Sequence, residues 1–236
     1  MGKRSAFIYI VIVLVALTNL SYQKFIQENH PPTIKIITPL ANASVQSGMS
    51  LNYRLSVSDK EDGDSQFDEI NTKEVLLEVK YLGSKSASTT ATVKTAQDDA
   101  PGLGVIRTSN CLNCHGFNSK SIGPSFFEIS KRYPATRANT DTLIRNIKNG
   151  SANIWGKEKM PSHPELTIDE IKSTVLWILK NSASQNTSYY NGTTGIIQFP
   201  AKKGSYLLTA SYVDHGLNGG LGKRLKGVNM VMVSVK

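Results

Sequence analysis

The spacing of apolar residues changes period along this chain of 236 residues, and the changes divide it. Behind Lys3 and Arg4, residues 6–17 form an apolar run, the charged start and apolar middle of an export signal. The run is at the short end for a spanning helix, its cleavage site is poor and no lipobox cysteine follows. Residues 1–24 are therefore expected to be a signal anchor or a cleaved signal peptide, with the anchor preferred. From Pro32 onward residues alternate at period two. The alternation predicts strands at residues 33–37, 51–57, 74–81 and 89–95, and again at 195–199, 206–213 and 228–235.

Between these two sets, from about residue 98 to 182, the period becomes helical. Thr167-Ile168-Asp169-Glu170 has the Thr-x-x-Glu form in which side chain and backbone satisfy each other at a helix start. Ile168, Ile171, Val175, Ile178 and Leu179 then recur on one face, predicting a helix through about Asn181. Leu143, Ile144 and Ile147 predict a shorter helix from about Thr140, with Gly150 as a left-handed stop. Residues 125–132 and 101–110 read as two more, the latter weakened by Gly102 and Gly104. Trp177 reads as core. The fold class is α+β and multidomain.

The chemistry concentrates in Cys111-Leu112-Asn113-Cys114-His115. Cys-x-x-Cys-His is the attachment sequence of c-type haem, in which two thiols add across the haem vinyl groups and the adjacent imidazole binds iron. Two intervening residues put both sulfurs on one edge of a helical turn. The sequence holds 2 cysteines, both here, so one covalent haem is the most it can carry by this route. A thioredoxin-like dithiol or half of a zinc site are the alternatives. Zinc would need further Cys or His at ligand spacing, and none follows.

A second axial ligand should be a soft side chain on a later loop. Met160, in Lys159-Met160-Pro161, is placed for it, and a thioether raises the reduction potential relative to a second imidazole. Methionine as core filler is the other reading, and the Gly, Pro and charge around Met160 weigh against it. His163 is near enough to compete. His30 and His215 read as surface residues.

On these residues the stretch 98–182 resembles a small class I cytochrome c of the bacterial c551/c8 type. Cys111-Leu112-Asn113-Cys114-His115, Ile122-Gly123-Pro124-Ser125-Phe126, Ile147-Lys148-Asn149-Gly150-Ser151, Ile154-Trp155-Gly156 and Met160-Pro161 follow in that family's order. The resemblance implies that the Pro124 carbonyl accepts from His115 and that Trp155 donates toward a haem propionate. It also implies haem c held by Cys111, Cys114, His115 and Met160. Asn146 stands where the family often has arginine, with Arg145 one place earlier, so neutralisation of a propionate by arginine is not implied.

The seven expected strands match the count of an immunoglobulin-like sandwich. Residues 31–63, with their Pro-Pro start and acidic turn, resemble the opening strands of a PKD-type Ig-like domain, and residues 204–214 its closing strands. Neither flank alone can bury two sheet faces. One sandwich, residues 31–96 plus 190–236, with an all-α cytochrome domain at 97–185 inserted in it, is preferred to two β modules flanking the cytochrome. The acidic residues 59–64, with Asp68, could collect a calcium ion but read better as a solvated turn.

The formal charge of +9 is uneven, with eleven basic against eight acidic residues in 97–185 and six against one in 186–236. No aromatic-plus-basic stripe suits nucleic acid. The expectation is a non-enzymatic, periplasmic, membrane-tethered monohaem protein carrying single electrons between a redox enzyme, such as a periplasmic dehydrogenase or terminal oxidase, and the respiratory chain. A haem-containing sensor or binding module, whose β-sandwich recognises a glycan or partner protein, is the alternative.

Overall fold

The computed structural model describes residues 28–83, 99–181, 184–217 and 223–236. The expected signal segment and the expected strand at 89–95 lie outside these residues. Among the described residues no helix is long and apolar enough to cross a membrane. Five strands come first: β1 (Thr33–Thr38), β2 (Ala43–Val45), β3 (Ser50–Asp59), β4 (Gly63–Asp64) and β5 (Leu76–Gly83). Five helices follow: α1 (Pro101–Thr108), α2 (Cys111–Cys114), α3 (Phe126–Arg132), α4 (Arg137–Asn149) and α5 (Ile168–Asn181). The chain then returns to strands β6 (Thr187–Asn191), β7 (Thr194–Gln198), β8 (Gly204–Val213) and β9 (Lys226–Val235).

The strands make two sheets, and each sheet draws on both sides of the helical stretch. In the first, β3 pairs with β1, β4 and β7, with Leu51 opposite Ile197. The second runs β2-β9-β8-β5-β6, so β5 lies between two strands that follow the helices. Tyr53, Leu55 and Val57 of β3 share one apolar core with Leu77, Leu208, Tyr212 and Val233 of the second sheet.

The second sheet is buried on its other face as well. Leu76 joins Leu103, Ile106, Phe117 and Trp177 in a separate cluster between sheet and helices. Alternation explains how one strand feeds both: Leu76 and Leu77 point to opposite faces. The same double burial makes β8 inaccessible from Tyr206 to Tyr212. Helix α1 lies so close to α5 that a Cβ at Gly102 would collide with the Ser173 carbonyl oxygen. The helix–sheet interface also holds a charge cluster. Arg107 is 5 % exposed and donates to Asp99 at 2.9 Å and to Ser211 of β8 at 3.0 Å. Lys226 of β9 reaches the same Asp99 carboxylate at 2.8 Å.

Boundaries moved where local hydrogen bonds outweighed the apolar pattern. The strand expected from Glu74 begins at Leu76, because Asn71 accepts from the Lys73 N–H and turns residues 72–74 into a short 3-10 helix. Helix α4 starts at Arg137 rather than near Thr140, because the Thr136 hydroxyl caps the Asn139 N–H. Gly150 has φ 78° and ψ 171°, a positive-φ extended conformation rather than a left-handed helical one. Strands β2, β4 and β6 were not anticipated; the first two have only 3 and 2 residues.

The acidic turn is bonded to the protein rather than merely solvated. Asp59 accepts from the N–H groups of Glu61 and Asp62 at 2.9 and 2.7 Å. Asp62 accepts from the Tyr212 hydroxyl at 2.8 Å. His30 pairs with Glu61, and His215 lies between Asp62 and Glu74; both histidine side chains are 42% exposed, so both are at the surface as expected and both are paired. Among the described residues no group of three or more His, Cys, Asp or Glu could hold a metal ion.

Two measurements follow from these pairs. Asp99→Leu leaves the Arg107 guanidinium buried without its carboxylate and is expected to cost about 3–5 kcal/mol in denaturant unfolding. The hydrogen bond to Glu74 raises the His215 pKa above its ordinary 6.5, against the opposing effect of burial. Its contribution to stability is therefore fully present below that ordinary value and is lost as pH rises through the raised one. The stability difference between the parent and His215→Asn should be larger at about pH 5.5 than at about pH 9.

Candidate functional site

The two cysteines sit on the single turn of α2, which closes when the His115 N–H donates to the Cys111 carbonyl at 2.9 Å. Both are free, and both line a cavity of about 530 Å³ between the helices. Burial pushes the Cys111 thiol up to about 11. His115 leaves the turn in extended conformation, and its ring also lines the cavity. A carbonyl can only accept, so the 2.7 Å contact between His115 Nδ1 and the Pro124 oxygen fixes the proton on Nδ1. The Nε2 lone pair is left for a metal. Burial also holds the His115 pKa below its ordinary value, which favours that neutral form. Phe126 stacks on the ring with centroids 5.6 Å apart and planes 18° apart. Gly123 lies so close that a Cβ there would sit 2.6 Å from the imidazole.

Met160 lines the same cavity from another loop. Its backbone pairs with Ser151 in both directions, at 3.0 and 2.9 Å, an isolated antiparallel bridge. Lys148 of α4 fastens the segment that follows by donating to the carbonyls of Pro164 and Leu166 at 2.9 and 2.7 Å. Gly150 permits the close passage, since a Cβ there would stand 2.8 Å from the Met160 carbonyl oxygen. His163 also borders the cavity, with Nδ1 bonded to Glu165 at 2.9 Å. Helix α5 supplies another wall through Ile171, Val175 and Ile178. It starts at the Thr167–Glu170 box, in which Glu170 accepts from the Thr167 N–H at 2.8 Å and donates its own N–H to the Thr167 hydroxyl at 3.2 Å.

Trp155 borders the cavity beside Arg132, whose guanidinium carbon lies 4.4 Å from the indole centroid. Arg132 also donates to the Ile154 carbonyl at 2.9 Å. Arg145, the arginine considered from sequence, is exposed and bonds Thr142, whereas Asn146 lines the cavity. No motif marked Arg132; it lies in the last turn of α3, whose start is set by a Ser125–Glu128 capping box.

The residues present fit a haem. The cavity is of cofactor size and mainly apolar, and Cys111, Cys114, His115 and Met160 are among the residues that line it. The Thr174 hydroxyl, buried and without a partner among the described residues, lines it too.

Comparison with known proteins agrees with this geometry. The family model for cytochrome c matches residues 100–182. Cytochrome c-551 of Stutzerimonas stutzeri is 33% identical over 107 residues, covering 45% of this chain and 96% of that protein. Cytochrome c-551 of Azotobacter vinelandii is 36% identical over 78 residues, covering 33% of this chain and 94% of that protein. Among solved structures, wild-type Nitrosomonas europaea cytochrome c552 matches at 28% identity and a TM-score of 0.32, covering 33% of this chain and 96% of that one. The family match leaves β1–β5 and β6–β9 outside it. Through residues 100–182, with Cys111 and Cys114 in its haem-attachment motif, the chain belongs to the cytochrome c family of electron-transfer proteins that carry covalent haem c.

Proposed function

We propose that the protein is a periplasmic one-electron carrier whose single haem c is held by thioethers from Cys111 and Cys114 and by His115 and Met160 as axial ligands. Haem, when bound, supplies a one-electron couple. The protein's part is to fill both axial positions, so that neither substrate nor oxygen finds an open one. The observation that carries this reading is that Cys111, Cys114, His115 and Met160 all line one cavity, with His115 Nδ1 already engaged by the Pro124 carbonyl. Pro124 holds the imidazole tautomer, Gly123 lets the chain pass under the ring, and Lys148 keeps the methionine loop on the cavity. Trp155, with Arg132 against its ring, serves the propionate end.

The β strands are read as one PKD/Ig-like domain, residues 31–96 and 190–236, into which the cytochrome segment 97–185 is inserted. The pairing of β3 with β7 and of β5 with β6 and β8 supports one β unit over two. Residues 1–24 would tether the protein to the inner membrane. Its partners would be a periplasmic redox enzyme and the respiratory chain.

Optical redox titration of the exported holoprotein, with carbon monoxide added to the reduced form, tests the ligation. The parent should show the charge-transfer band of thioether-bound ferric haem and should not bind carbon monoxide. Met160→Ala should lose the band, bind carbon monoxide and titrate at a lower potential. His163→Ala should match the parent; loss of the native spectrum in that variant alone would move the ligand to His163. Cys111→Ser and Cys114→Ser should each leave one thioether, and the double variant should release its haem on denaturation.

A further inference from the structure

The β strands touch the cysteine turn where the electron-carrier reading makes no use of them. Residues 72–74, the 3-10 turn ahead of β5, lie against α2. Asn71 Nδ2 donates to Asn113 Oδ1 at 3.0 Å, and Lys73 Nζ donates to the Asn113 carbonyl at 3.1 Å. Asn113 stands between the two cysteines and itself lines the cavity. The other end of the attachment loop is held from the same side. Phe126, stacked on His115, meets Phe117 edge-on at 5.5 Å, and Phe117 meets Tyr189 of β6 at 5.5 Å. Asn118 Nδ2 donates to the Tyr189 carbonyl at 2.6 Å. Turn and imidazole are thus both braced by residues that lie outside the cytochrome match.

Of these braces only Lys73 carries a charge. Glu74, its neighbour in sequence, is turned to His215 at 3.0 Å and to Asn71 at 3.1 Å. Lys73 makes no ion pair among the described residues, and its ammonium is held against the cysteine turn, while the carboxylates that line the cavity, Glu158 and Glu165, belong to the loop around Met160.

We propose that Lys73, which the turn ahead of β5 brings to the cysteine turn, raises the reduction potential by its charge. The inference rests on the part of the reading above that puts a haem at Cys111, Cys114 and His115. Oxidised haem carries one more positive charge than reduced haem, so a cation fixed nearby favours the reduced state. Lys73 is exposed, which limits the effect and makes it sensitive to salt. A bond to a carbonyl of the attachment turn keeps the charge at one place instead of averaged over the surface.

The test is a midpoint-potential series on the full-length holoprotein, at low and at about molar salt. Lys73→Arg should keep the parent potential, Lys73→Gln should lower it, and Lys73→Glu should lower it further. Raising the salt should shrink both steps. Lys35→Gln, which removes another exposed charge, on β1 of the first sheet, should leave the potential unchanged. Each variant should retain the parent's ligation spectrum, and its apo form should unfold as the parent's does. Equal potentials for Lys73→Gln, Lys73→Glu and the parent would overturn the proposal, as would an equal shift in Lys35→Gln. Carbon monoxide binding by the parent would overturn the carrier reading alone, because the potential series would still decide the role of Lys73.

Discussion

The arrangement depends on a sheet that is buried from both sides. A β strand presents alternate residues to alternate faces, so a sheet between two apolar layers has no face left for water. Here Leu77, Leu208 and Val233 meet the first sheet, while Leu76 meets Leu103 and Trp177 of the helices. The helical stretch is small enough for its own apolar core to be marginal, and the sheet gives it a wall. The buried Arg107 at that wall is held through Nη1 by Asp99 and Ser211, with its Nε and Nη2 unpartnered among the described residues. The cysteine turn and histidine lie among helices that rest on this sheet, while α4, ahead of the methionine loop, packs on α5.

Within the cavity the constraints are those of close approach and of proton position. Imidazole is useful to a metal only when neutral and turned the right way, and one backbone carbonyl at 2.7 Å settles the tautomer. A glycine under the ring and a second one under the methionine loop are needed because backbone passes within van der Waals contact of both. These small local requirements recur through the attachment turn, α3 and the loop after α4.

Much of this was legible from the residues. Strong period-two stretches became β1, β3 and β8, and the five residues recurring at helical spacing became α5 behind its expected capping box. Boundaries failed where a single side chain intervened, as with Asn71 ahead of β5 and Thr136 ahead of α4. The sequence pattern concealed what depends on two distant segments meeting. Nothing in the order of residues says that Arg132 lies on Trp155, that Lys73 reaches Asn113, or that His215 lies between Asp62 and Glu74. Strand β6 was missed for a related reason: Tyr189 faces the helices while Tyr190 packs toward the sheet core, so both faces look apolar and no alternation shows.

The bond from Asn118 to Tyr189 has a consequence for how the protein behaves among other copies of itself. Strand β6 is the outermost strand of its sheet, and an outermost strand offers unpaired carbonyl and amide groups on which a stray chain can build. The Asn118 side chain occupies one of those carbonyls, and Phe117 packs over the tyrosine ring. The redox segment thus covers one point of that open margin, while residues beside the strands in turn hold the cofactor loop.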